Sequence, residues 1–175
     1  MTTHTARLAA AFAALMILTP LPAVAEYLAP DWSSLSIKDV SEPDWIAGVR
    51  DGAYIGMCTT CDGTMMLQVQ VLPDDGTGGR VRSGQTTPET YTALGQANAA
   101  QLGGSSAYYG TEAIEFASAV GFKTRARAAT GDYSATYQLW SDGQQLVVKV
   151  YGNDQSAVDS LAQAAFKAAA PQTFK

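Results

Sequence analysis

FKTRARAATGDYSATYQLWSDGQQLVVKVYGN, residues 122–153, is the stretch whose reading decides the fold. Phe122–Ala128, Tyr133–Trp140 and Gln144–Tyr151 are three β-rich runs separated by Thr130-Gly131-Asp132 and Ser141-Asp142-Gly143. Asp-Gly and Gly-Asp between alternating apolar residues are hairpin signals, so the stretch predicts an antiparallel meander. Within its first strand Lys123, Arg125 and Arg127 alternate and share one face, opposite Phe122, Thr124 and Ala126. Paired without a slip, the meander adds Thr136, Gln138, Trp140, Lys149 and Tyr151 to the basic face. A basic ladder rimmed by Trp140 and Tyr151 is a candidate surface for a protein partner or a small anionic ligand. The simpler reading is a solvated strand face that discourages edge aggregation.

Working outward, Gly152-Asn153-Asp154 leads into a helix predicted over about 155–169, with Val158, Leu161, Ala162, Ala165 and Phe166 on its apolar face. Pro171 is expected to bar its continuation. Upstream, Ala53–Met57 and Thr64–Leu72 read as two strands around the loop Cys58-Thr59-Thr60-Cys61-Asp62-Gly63. Met65, Leu67, Val69 and Val71 share one face of the second; Met66, Gln68 and Gln70 share the other. Pro73 to Gly79 reads as a flexible loop, and Thr86-Thr87-Pro88-Glu89 opens a helix with a capping box. Tyr91, Leu94 and Leu102 give that helix a packing face, weakened in its middle by Asn98 and Gly95 and ended by Gly103-Gly104. Residues 111–121 read equally as a short helix or a strand. Ser41-Glu42-Pro43-Asp44 is a helix start, with Asp51-Gly52 as its stop.

The expected fold is α+β: an antiparallel sheet of about five strands, two main helices packed on one face, and a short N-terminal helix. Residues 1–25 read as a cleaved signal peptide. Arg7 precedes the apolar run Leu8–Leu18, Pro20 and Pro22 follow, and Ala23-Val24-Ala25 offers a small-x-small cleavage site. An arm and short helix over 26–52, a single domain over 53–170 and a tail over 171–175 complete the expected organisation. The expected location is the periplasm or the exterior. No later run is long and apolar enough for stable membrane insertion.

Residues 26–175 hold 10 basic against 16 acidic side chains, a net charge of −6, which argues against nucleic acid as a partner. His4, the one histidine, lies in the signal segment. Ser-His-Asp and Cys-His nucleophile systems, histidine metal triads and histidine proton shuttles are therefore excluded from residues 26–175. With no nucleophile–base pattern in the chain, no catalytic residues are assigned and the expectation is a protein that is not an enzyme.

Cys58 and Cys61 admit three readings. In an oxidising compartment two cysteines most economically make one disulfide, here fixing a hairpin tip. A soft-metal site for Cu(I) or Zn could recruit Cys58 and Cys61 with Met66 and Met57, since thiolate with thioether selects Cu(I). A thiol–disulfide redox pair is the third, although a strand rather than a helix follows Cys61 and Asp62 would raise a thiol's pKa. Tyr108 and Tyr109, after a glycine- and serine-rich stretch, could line a ligand mouth or simply pack. Asp74-Asp75, Glu112/Glu115 and Asp154/Asp159 read as solvated or capping carboxylates. The leading expectation is a small, soluble, exported binding or accessory protein with no cofactor and a structural Cys58–Cys61 disulfide.

Overall fold

The computed structural model describes residues 30–37, 40, 44–61, 64–101 and 107–174, with the backbone alone for 101 and 107–109. The expected signal peptide, Ser41-Glu42-Pro43, Asp62-Gly63 and Gly103-Gly104 lie outside the described residues. Seven strands make one antiparallel sheet: β1 (Trp45–Arg50), β2 (Ala53–Cys58), β3 (Met65–Pro73), β4 (Ala107–Phe116), β5 (Ala119–Arg127), β6 (Tyr133–Ser141) and β7 (Gln144–Gly152). Their spatial order is β1-β2-β3-β7-β6-β5-β4. The helices are α1 (Thr77–Arg82), α2 (Pro88–Gln101) and α3 (Gln155–Thr173), with a 3₁₀ turn at Trp32–Ser34.

The architecture corrects the expected one in three ways: it is mostly sheet, it has seven strands instead of about five, and its helices cover both faces. The segment expected as an N-terminal helix is β1. Its Asp51-Gly52 is a hairpin turn, with φ of 50° and 77°, that brings Arg50 opposite Ala53. Trp45, Ile46 and Val49, aromatic or β-branched, suit the strand. The ambiguous segment 111–121 supplies most of β4 and the start of β5. Its turn uses a left-handed Ala117 (φ 52°), which no glycine or asparagine announces.

Alternation sorts the sheet into two faces. On one, Leu67, Val69 and Val71 of β3, Leu146, Val148 and Val150 of β7, and Ala135, Tyr137 and Leu139 of β6 are buried under α3. The helix contributes Val158, Leu161, Ala162, Ala165, Ala169 and Ala170. Small residues on the helix let it lie close to the sheet. Asp154 caps it by accepting from the Ala157 N–H at 2.7 Å. The helix also runs through Pro171 instead of stopping before it. The Thr173 hydroxyl and the Gln172 amide donate to the carbonyls of Ala169 (3.1 Å) and Ala168 (3.5 Å), and Phe174 buries in the core beyond. Trp32, Leu35, Ile37 and Val40 join the same core, and the Trp32 indole N–H donates to the Gly52 carbonyl at 3.1 Å.

The opposite face carries two large apolar residues of its own, Phe122 and Trp140, each 2 % exposed. They are the reason a second layer exists. The Tyr91 ring of α2 lies tilted 5.0 Å from Phe122 and edge-on 6.4 Å from Trp140, so the aromatic trio pins α2 over that end of the sheet. The loop expected at Pro73–Gly79 folds in its second half into α1. Asp74 accepts from the Gly76 and Gly78 N–H groups at 3.0 and 3.2 Å, and Asp75 accepts from the Thr77 N–H at 3.0 Å. Side-chain and backbone hydrogen bonds at Thr77 hold the Asp75 carboxyl below its ordinary pKa. A Cβ at Gly78 would stand 2.6 Å from the Trp140 Cβ, so only glycine lets α1 close over the indole.

Candidate ligand-binding face

The basic ladder folds inward. Lys123 stands opposite Tyr137, Arg125 opposite Ala135 and Arg127 opposite Tyr133, so the three cations lie on the α3 side of the sheet. The Arg125 Nε donates to both Asp159 oxygens at 3.0 and 3.1 Å, and its Nη1 donates to Glu112 at 2.6 Å. The Lys123 ammonium lies 3.6 Å from Asp159 and 5.4 Å from the Tyr137 ring centroid. Arg127 lies 5.1 Å over the Tyr133 ring and donates to the Gly131 carbonyl. The Asp159 contacts of Lys123 and Arg125 fasten α3 to β5.

Trp140, Lys149 and Tyr151 stand on the other face, against the expectation that they would join the ladder. The β5–β6 register is offset by one residue from the expected pairing. A single-residue offset moves every side chain of a strand to the opposite side. Thr124 accordingly pairs with Thr136, and Thr136 with Lys149, on the face away from α3.

On that face three rows run across neighbouring strands. Gln68, Lys149, Thr136 and Thr124 form the middle row; Met66, Tyr151, Ser134 and Ala126 flank it on one side. Gln70, Val147, Gln138 and Phe122 flank it on the other. Between this surface and α2 lies a cleft of about 590 Å³, into which Gln68, Gln70, Thr124, Gln138, Asn98 and Lys149 project. Beyond the helix it continues as a trough of about 520 Å³ lined by Thr64, Met66, Asp132, Ser134, Lys149 and Tyr151. Lys149 belongs to both, its ammonium 4.7 Å from the Tyr151 ring centroid. Gly95 and Asn98, the weak middle of the α2 face, border the cleft, so the helix is polar there because it faces a hollow.

Two hydrogen bonds order the amides. The Gln68 amine donates to the Gln70 carbonyl at 3.1 Å, and the Tyr91 hydroxyl donates to the Gln138 carbonyl. Thr124, which lines the cleft, is 6 % exposed, and its buried hydroxyl has no hydrogen-bond partner among the described residues.

The structure places the Cys58 and Cys61 sulfurs at bonding distance, 2.04 Å, a disulfide at the β2–β3 hairpin tip. Cys58 is fully buried and stands opposite Met65, whereas Met57 stands opposite Met66, at 36 % and 40 % exposure. Strand alternation therefore puts both of these thioethers on the face away from Cys58, and the four sulfurs of the soft-metal reading are not gathered. Among the described residues no three His, Cys, Asp or Glu side chains converge on a metal-sized site. Tyr108 and Tyr109 sit in β4, Tyr108 in backbone register with Ala126; their side chains lie outside the described residues.

No family model matches the chain, and no curated protein does. Among solved structures it resembles the solution structure of cyanobacterial PsbP (CyanoP) from Synechocystis sp. PCC 6803. The two share a TM-score of 0.48 and 14 % identity over 73 % of this chain and 80 % of that one. A likeness of this size carries no functional argument. Among the described residues no helix is long and apolar enough to cross a membrane.

Sequence reasoning put Thr136, Gln138, Trp140, Lys149 and Tyr151 on one face but passed over Thr124, Gln68 and Gln70 as site residues. A signal was present: glutamines recur on the non-core side of strands, where a merely solvated face more often carries Lys and Glu.

Proposed function

We propose that this chain is an exported accessory protein, not an enzyme, that holds an anionic ligand on the polar face of its sheet, with Lys149 as the anchoring cation. The ligand is either a free small molecule or the acidic segment of a protein partner. One observation carries the reading: the cleft under α2 and the trough beside it meet at Lys149. A single ammonium at the junction of two hollows, over an aromatic ring, draws and orients one negative group. The absence of histidine from residues 26–175 favours binding over turnover. Lys123 and Arg125, the sequence-level candidates, support this role only indirectly, by fastening α3. Tyr151 supplies the ring beneath the ammonium, and Trp140 supports α1 and α2 from below.

Isothermal titration with acetate, phosphate and galacturonate at low ionic strength tests the proposal. At least one anion is expected to bind, and Lys149→Glu is expected to weaken it about tenfold or more, as loss of a charge-assisted hydrogen bond of roughly 1.5 kcal/mol implies. Failure of all three anions to bind, or binding untouched by Lys149→Glu, would overturn it.

A further inference from the structure

Resting on that reading, we infer that the ligand is a short acidic oligosaccharide of the uronate type, laid across the strands with one carboxylate at Lys149. Four properties of the face lead there. The lining carries five side chains that both donate and accept, Gln68, Gln70, Gln138, Thr124 and Thr136, beside Lys149 and an Arg80 that lies 3.9 Å from Asp75. A plain carboxylate only accepts at neutral pH, and would give no donor to the Gln68 carbonyl or to the second lone pairs of the Gln70 and Gln138 carbonyls. A sugar hydroxyl donates and accepts, so rings rich in hydroxyls match the set.

The second property is extent. The middle row from Gln68 to Thr124 crosses four adjacent strands, β3, β7, β6 and β5. At about 4.8 Å per strand that row is about 14 Å long, more than one ring spans. The third is the apolar trim. Tyr151 and Leu94 keep 38 % and 59 % of their surface exposed beside these hollows. They offer flat or aliphatic patches to the C–H faces of pyranose rings. The fourth is Thr124, a cleft-lining residue whose hydroxyl is withdrawn from water without a partner among the described residues. Such a group is costly in the empty protein and is satisfied when rotation about χ1 turns it to a ligand hydroxyl in the cleft.

An acidic peptide fits this face less well. Backbone N–H and C=O groups of the four strands are engaged in the ladders, so a peptide lying across them would find only side chains for its own amides. Strand-like peptide binding needs a sheet edge.

Titration of the full chain with tri-galacturonate, acetate, maltotriose and an acidic hexapeptide discriminates these cases. Tri-galacturonate is expected to bind at least about tenfold tighter than each of the others. Thr124→Val and Lys149→Met are each expected to weaken it several-fold, whereas acetate binding should disappear in Lys149→Met alone. If Lys149→Met does not fold, Gln70→Leu replaces it, again with several-fold weakening expected. Acetate binding as tightly as tri-galacturonate, with Lys149 required for both, would overturn the sugar assignment and leave the anion site standing. A tighter peptide would also overturn it. Absence of Lys149-dependent binding by any probe would remove the anion site as well.

Discussion

Thr124 and Lys149 stand in one row of the sheet but answer to different physics. Lys149 keeps its charge half in solvent and over the Tyr151 ring, so its presence costs the fold little. Thr124 is the reverse: it is buried, and its hydroxyl lacks a partner among the described residues. Replacing it with the isosteric Val removes that hydroxyl and should raise stability by about 1 kcal/mol, the lower range of an unmet buried donor. A chemical-denaturation curve with unchanged slope and a higher midpoint is the expected outcome; a lower midpoint would show that the hydroxyl is already satisfied. A gain in stability joined to a loss of binding is the signature of a residue kept for its ligand. The ladder residues obey a third rule. Lys123 and Arg125 were visible in the sequence as cations on one face, but Asp159, their partner, lies 34 residues beyond Arg125 on a helix. Alternation showed that they share a side; only the register says which side.

At the scale of elements, legibility followed the turns. The β5–β6–β7 meander and the β2–β3 pair were readable because Gly131, Asp142-Gly143 and the cysteine loop mark their ends. The β1–β2 turn carried the same signal, Asp51-Gly52, but the preceding Ser-Glu-Pro-Asp matches a helix start and masked it. Pairing with β2 across six residues outweighed that local preference. β4 was ambiguous between helix and strand, since its turn rests on a left-handed alanine that no sequence signal marks. α2 was readable by its capping sequence, and its poor inner face, an anomaly in the sequence, is explained by the hollow beneath it. The disulfide belongs to this scale too. It ties the last residue of β2 to Cys61 in the loop ahead of β3. Its ring is short, so replacing both cysteines with alanine should cost about 2 kcal/mol from chain entropy, with a further loss from the cavity at buried Cys58. Intact mass of protein from its native compartment should show no free thiol. Two free thiols with a bound metal ion would establish the soft-metal reading instead.

For the whole molecule, one sheet serves two purposes because its faces differ in composition. The α3 side is apolar from β3 to β6 and holds the core. The other side has an aromatic end that needs cover, which α1 and α2 supply, and a polar end left open. The same asymmetry divides the charges: Lys123 and Arg125 are engaged by Asp159 and Glu112, and Lys149 remains on the open side. The central claim is that this open side, and not the basic ladder, receives the ligand. Amide chemical-shift mapping during titration with tri-galacturonate tests it most directly. The expected shifts cluster at residues 66–70, 134–138 and 147–151 and vanish in Lys149→Met. Shifts gathered at residues 123–127 and along α3, or none anywhere, would contradict it.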